Sequence, residues 1–217
     1  MTIKFFPDMS GRIVFGGYPH EYDNNKIYDP NNLITIYTGS IGNIFLPWSL
    51  GFYSSYFIID GNIEIEVQRY ALCYLVFNFG LIKGTKKYKE LILKYYFQEL
   101  IDKNICQEKT ENTIFDRKVS SINSNGTFTM FICDKTTFKG KYLYKFPSFK
   151  LKHQGFNYTF ELIYKDLFLE IKNKYYFLMI FPEDDSSQWF FGIPFLKKYE
   201  FVFKLIFFIK LNIFLFS

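Results

Sequence analysis

The groups able to do chemistry are few and scattered. Two histidines, His20 and His153, stand apart from each other and from the three cysteines, Cys73, Cys106 and Cys133. Neither set has the short paired spacing by which ligands close a tetrahedral zinc site, so no metal centre and no cofactor is expected. Carboxylates remain for acid–base work. Asp8 precedes Met9-Ser10-Gly11 and reads as a turn residue. Asp60 precedes Gly61 between two apolar runs, and Asp-Gly in that setting is first a hairpin turn. Glu183-Asp184-Asp185 lacks the glycine and glutamate spacing of a calcium loop, so it reads as an exposed connection.

Charge points to no polyanionic partner. The formal charge of +5 comes from lysines spread along the chain, densest between Lys86 and Lys94. Without an RNA- or DNA-binding motif this cluster reads as a solvated helix face, and nucleic acid is not an expected partner. The 29 phenylalanines and 18 tyrosines read as the codon bias of an A/T-rich gene rather than as an aromatic binding surface. A chain of 217 residues has room for one domain with a sizeable core. Asn125-Gly126-Thr127 and Asn157-Tyr158-Thr159 are glycosylation sequons compatible with a secretory route.

The elements that would position a site are organised around residues 69–101. Tyr70 to Phe77 is a continuous apolar run, which predicts a buried strand. Asn78-Phe79-Gly80 bends it, and Leu81-Ile82-Lys83-Gly84 leads on to Thr85, a predicted N-cap. Tyr88, Leu91, Ile92, Tyr95 and Tyr96 then recur at three- and four-residue steps, predicting an amphipathic helix. Upstream, residues 3–18 predict a hairpin, Leu33 to Tyr37 a strand, and residues 57–67 a half-buried hairpin through Asp60-Gly61-Asn62. Downstream, residues 102–126 are charged and Asn/Ser-rich, and predict a surface excursion. Phe128–Cys133 and Tyr175–Phe181 predict strands. Phe149, Leu151, Phe156, Tyr158, Phe160 and Leu162 alternate with polar residues about a Gln154-Gly155 turn.

Trp189-Phe190-Phe191-Gly192-Ile193-Pro194-Phe195-Leu196-Lys197-Lys198-Tyr199 completes the pattern. It predicts a strand ending at a glycine, which allows close backbone approach, with Pro194 suiting a first helical turn. With the strand–loop–Gly84–helix segment, Tyr37-Thr38-Gly39-Ser40 and Phe146-Pro147, this order resembles the C-terminal lobe of pepsin-like aspartic peptidases, and the resemblance implies that the Trp189–Gly192 strand threads a wide loop. Gly192, Phe195, Leu196, Lys197, Tyr199, Val202 and Phe203 fall in register with the end of such a lobe, and Lys204 replaces its last aspartate.

The resemblance implies a mostly β fold, one lobe of the pepsin-like β-barrel with one or two short helices. The lobe spans residues 1–204, and 205–217 follow as an atypical apolar tail. Aligned back from Gly84, the catalytic Asp-Thr/Ser-Gly falls on Val76, Phe77 and Asn78, so no catalytic residue is expected. Gly80, Leu81, Ile82 and Gly192 fall at substrate-cleft positions. Catalysis in that family needs two aspartates, one per lobe, sharing a proton and a water. The implied function is therefore that of a pepsin-like aspartic endopeptidase family member, present as a lone C-terminal lobe and inactive as written. A non-catalytic peptide-binding module and a degenerate gene fragment are the alternatives. Implied partners are an extended peptide or protein substrate and a missing N-terminal lobe. The family's usual cysteine partner would fall near Tyr176, so its usual disulfide is not expected; a Cys106–Cys133 pair is the hypothesis in its place, and Cys73 in its apolar run reads as a buried free thiol. The family's compartments are secretory or vacuolar, although Met1 to Pro7 lacks the features of a signal peptide. Residues 201–217 carry charges and are short for a membrane span.

Overall fold

Apolar runs and alternating stretches of this chain become strands, and the polar turn residues between them become connections. The computed structural model describes residues 2–5, 11–15, 34–37, 40–41, 44–45, 49–59, 63–69, 71–76, 79–112, 127–153, 158–183, 188–206 and 210–216. It is mostly β with a few short helices. β1 (Thr2–Phe5) and β2 (Gly11–Val14) form a hairpin, followed by β3 (Ile34–Tyr37) and the two-residue β4 (Ser40–Ile41) and β5 (Ile44–Phe45). β6 (Ser49–Ile59) pairs with β7 (Ile63–Gln68) from Ile59 opposite Ile63. The Asp60-Gly61-Asn62 turn itself, like Asp8, His20, the Gln154-Gly155 turn, Phe156 and both sequon asparagines, lies outside the described residues.

β8 (Ala71–Leu75) comes from the central apolar run and β9 (Ile82–Lys83) from the apolar pair before Gly84. Then come α1 (Lys86–Ile92), a π turn (Leu93–Phe97) and α2 (Gln98–Asp102). β10 (Cys106–Asn112), β11 (Thr127–Asp134) and α3 (Lys135–Phe138) precede a 3-10 turn at Leu143–Lys145. β12 (Ser148–His153), β13 (Thr159–Leu162), α4 (Tyr164–Leu167), β14 (Phe168–Ile171) and β15 (Lys174–Phe177) follow. The remainder is β16 (Met179–Pro182), β17 (Trp189–Phe191), α5 (Ile193–Lys198), β18 (Glu200–Ile206) and β19 (Lys210–Phe216).

The main sheet is curled and runs β13-β12-β6-β8-β17-β9-β16-β11-β15-β14, with β7 on β6 and β10 on β11. A second sheet runs β2-β1-β18-β19-β3. The 204/205 boundary thus falls inside β18, and residues 210–216 form β19, paired to both β18 and β3. The core lies between the main sheet and the α1–α2 segment. Phe149, Leu151, Phe160 and Leu162, the alternating residues of the β12–β13 hairpin, are fully buried in it. At the other end Phe97 stacks on Phe131 at 4.1 Å and packs against Phe177 at 5.4 Å.

Three expectations change. The helical repeat does not run evenly through Tyr95, which is 44% exposed. The π turn inserts an extra residue, so the buried row passes from Tyr88 and Ile92 to Phe97 and Leu100 instead. The surface excursion at 102–126 contains β10, an edge strand whose exposed residues 107–110 hide any alternation. The strand expected over Tyr175–Phe181 is two strands, broken at Leu178, whose N–H donates to Leu167 O at 2.7 Å.

Candidate functional site

The site is the loop that joins β8 to β9. β17 runs parallel to β8, with Trp189 opposite Cys73 and Phe191 opposite Leu75. It runs antiparallel to β9, with Phe191 opposite Ile82. One strand therefore lies between the two arms of the loop. Hydrogen bonds seal it there: Val76 N–H donates to Phe191 O at 2.9 Å, and Ile193 N–H to Phe79 O at 2.8 Å. The crossing is so close that a Cβ on Gly192 would stand 2.0 Å from Phe79 O and 2.3 Å from Leu81 O. No side chain fits there. Past it, Gly192 O accepts the first bonds of α5, which carries Pro194 in its first turn.

The far arm is pinned with equal economy. Ile82 N–H donates to Leu178 O and Gly84 N–H to Ile180 O. A Cβ on Gly84 would meet the Phe181 ring at 2.7 Å. Thr85 then starts α1, its hydroxyl oxygen accepting from Tyr88 N–H at 3.3 Å. Tyr88 is buried among Phe149, Trp189 and Phe181, and this burial pushes its hydroxyl pKa upward. Trp189 stacks on Phe149 at 4.8 Å and donates its indole N–H to Gln68 Oε1 at 3.2 Å.

Strand alternation sends the site residues to two faces. Cys73, Leu75, Ile82, Trp189 and Phe191 enter the main core. On the other face Phe190 stacks with Tyr74 at 5.2 Å, and the ammonium of the buried Lys83 lies 5.0 Å from the Phe190 ring centre. Val76, Phe79 and Leu81 gather with Phe128, Met130 and Ile180 in a second, smaller apolar cluster. Lys83 and Phe190 were not singled out from sequence. The step of two between Trp189 and Phe191, both aimed inward, is the signal that places Phe190 opposite them.

Of the three positions aligned with the catalytic triplet, Val76 is half-buried in the small cluster, while Phe77 and Asn78 lie outside the described residues. Of the four cleft candidates, Ile82 is fully buried and Gly192 sits beneath the loop backbone. Gly80 is exposed and Leu81 half-buried, so these two reach the surface. Residues 76–85 contain no carboxylate, histidine or cysteine. Cys73 sits in β8 as a free thiol whose pKa burial pushes well up, which keeps it a protonated, inert core residue. Cys106 and Cys133 face each other across β10 and β11 and form a disulfide, with Cα atoms 3.9 Å apart. Among the described residues no three His, Cys, Asp or Glu side chains are grouped to hold a metal. The arrangement can hold a loop rigidly at the surface, but the loop contains no group that accepts a proton from water at neutral or acid pH. No protein-family model matches the chain, and no curated protein matches it.

Proposed function

We propose that the chain is a C-terminal-type lobe of the pepsin-like aspartic endopeptidase fold that holds extended peptides without cleaving them. The observation that supports this reading is β17 lying between the arms of the β8–β9 loop, with Gly192 directly beneath the carbonyls of Phe79 and Leu81. That threading is what the Trp189–Gly192 motif predicts for such a lobe. Hydrolysis by a pair of carboxylates depends on one being ionised while its neighbour stays protonated. Val76 supplies methyl groups where one of the pair would stand. A separate N-terminal lobe would bring a flap and a first aspartate, and the pair would still lack its second member. Among the described loop residues Gly80 is exposed and Leu81 half-buried, and these two would touch a bound peptide.

The purified chain, incubated with an unfolded protein at acid pH, is expected to release no fragments; release would overturn the loss of catalysis. Titration with extended apolar peptides is expected to saturate, and Leu81→Asp to weaken binding. Absence of saturable binding in the folded chain would overturn the peptide-holding role.

A further inference from the structure

We infer that the free edge of β14 is a docking site for an extended, acidic polypeptide segment. β14 ends the main sheet, and among the described residues it pairs with β15 alone. Three strands, β16, β11 and β15, separate it from β9, so this edge is distinct from the β8–β9 loop. Ile171 and Lys174 flank a two-residue turn, with Lys172 at φ 54°. In such a hairpin the flanking residues exchange both of their hydrogen bonds, and the pattern alternates along the strand. Ile171 and Leu169 therefore direct their backbone groups at β15, and Glu170 directs its N–H and C=O outward. Phe168 N–H closes α4 onto Tyr164 O, which leaves the Phe168 carbonyl and the Glu170 pair as the edge that an incoming strand would meet.

Side chains at this edge select the occupant. Leu169 and Ile171 lie on one face, 46% and 45% exposed. On the other face Glu170 is engaged by Lys135 at 2.5 Å and by the Tyr175 hydroxyl at 2.7 Å, with Lys139 at 3.9 Å and half-exposed beyond it. Lys165, Lys172 and Lys174 are exposed at the two ends. The remaining carboxylates nearby are occupied: Asp134 accepts from Thr136 and Thr137 N–H, and Asp166 from Lys198 at 2.6 Å. Two copies joined edge to edge would bring these lysines together, which disfavours a second copy of the chain. A strand alternating apolar and acidic residues satisfies both faces and the backbone at once.

The test uses the full chain and a short synthetic peptide alternating glutamate and valine. Binding is expected to saturate, to weaken about tenfold or more with Lys139→Glu and with added salt, and to vanish when alternate peptide nitrogens are methylated. Hydrogen exchange is expected to slow at the Glu170 amide. A lysine–valine peptide is expected not to bind. Circular dichroism of Lys139→Glu reports whether that variant folds. Failure of the acidic peptide to bind would leave β14 as a short lysine-flanked edge that merely resists stacking, and would overturn the inference. So would undiminished binding of the methylated peptide, or protection appearing at residues 79–83 instead, where the peptide-holding loop of the proposed function lies.

Discussion

Two regions of the same sheet are held together by opposite means. At the crossing of β17 and the β8–β9 loop, backbone meets backbone, and a hypothetical Cβ on Gly192 already stands 2.0 Å from a carbonyl oxygen. At the far end, Phe97, Phe131, Phe177 and Phe181 fill space with rings 4.1–6.4 Å apart. The first region tolerates no change in shape at Gly192, although Leu75, Ile82, Trp189 and Phe191 beside it are buried in the core. The second derives nearly everything from volume and can adjust its rings. The difference separates what the shape of the crossing requires from what it leaves open. Gly84 and Gly192 are residues that close contacts require, whereas Val76 joins the crossing through its backbone N–H, a bond that does not depend on its side chain.

The largest effect expected from this contrast is that of Gly192→Ala. The added methyl cannot be accommodated by a side-chain rotation, because both of its nearest neighbours are backbone carbonyls. Separation of β17 from the loop would break the Ile193–Phe79 bond as well. We expect a loss above ~4 kcal/mol, in the range reserved for gross steric or packing failure, seen as an absence of cooperative unfolding. A variant that melts near the parent temperature would show that the crossing is looser than described, and would remove the main support for the lobe reading.

Phe97→Ala tests the other region. Removing a fully buried ring costs ~3–5 kcal/mol in transfer and cavity terms. The neighbouring Tyr96, whose hydroxyl donates to Tyr142 O at 2.6 Å, keeps the π turn tied to the segment just before the 3-10 turn. The variant is therefore expected to fold and to unfold cooperatively at lower denaturant, with the peptide binding proposed for the β8–β9 loop unchanged. Loss of that binding along with stability would mean that the two regions are coupled, and the comparison would fail.

How much of this was legible in the sequence follows the same division. Phe149, Leu151, Phe160 and Leu162 announce their strands because alternate residues face a core, and Thr85 announces a helix start because its hydroxyl can cap one. Gly192 was legible for a backbone reason, since a glycine between an apolar strand and a proline marks close approach. The π turn at Leu93–Phe97 was not, because tertiary packing of Phe97 against Phe131 and Phe177 selects it and no local residue type demands it. β10 was hidden for a different reason: an edge strand with residues 107–110 exposed needs no apolar alternation, and its pairing rests on backbone bonds and the Cys106–Cys133 link. The candidate site was legible in its scaffold, through Gly84, Thr85 and Gly192. Lys83 and Phe190 were not noticed, because a continuous apolar run conceals which residues face outward.

Gly80→Ala is the smallest effect and the sharpest control on that argument. Gly80 belongs to the loop that Gly192 lies beneath, and it reads in the sequence as a bend residue. Yet it is exposed, no described atom beyond its chain neighbours lies within 4 Å of where its Cβ would stand, and its φ is outside the left-handed region. Alanine there meets nothing and restricts the unfolded chain, a change that stabilises by about 0.4–1 kcal/mol where the native backbone suits it. Equilibrium denaturation of Gly80→Ala should therefore show a midpoint equal to or slightly above the parent's. A loss greater than ~1 kcal/mol would mean that the loop backbone needs a glycine at 80 for a reason other than space. The distinction drawn between glycines that the crossing requires and glycines that merely bend the chain would then fail.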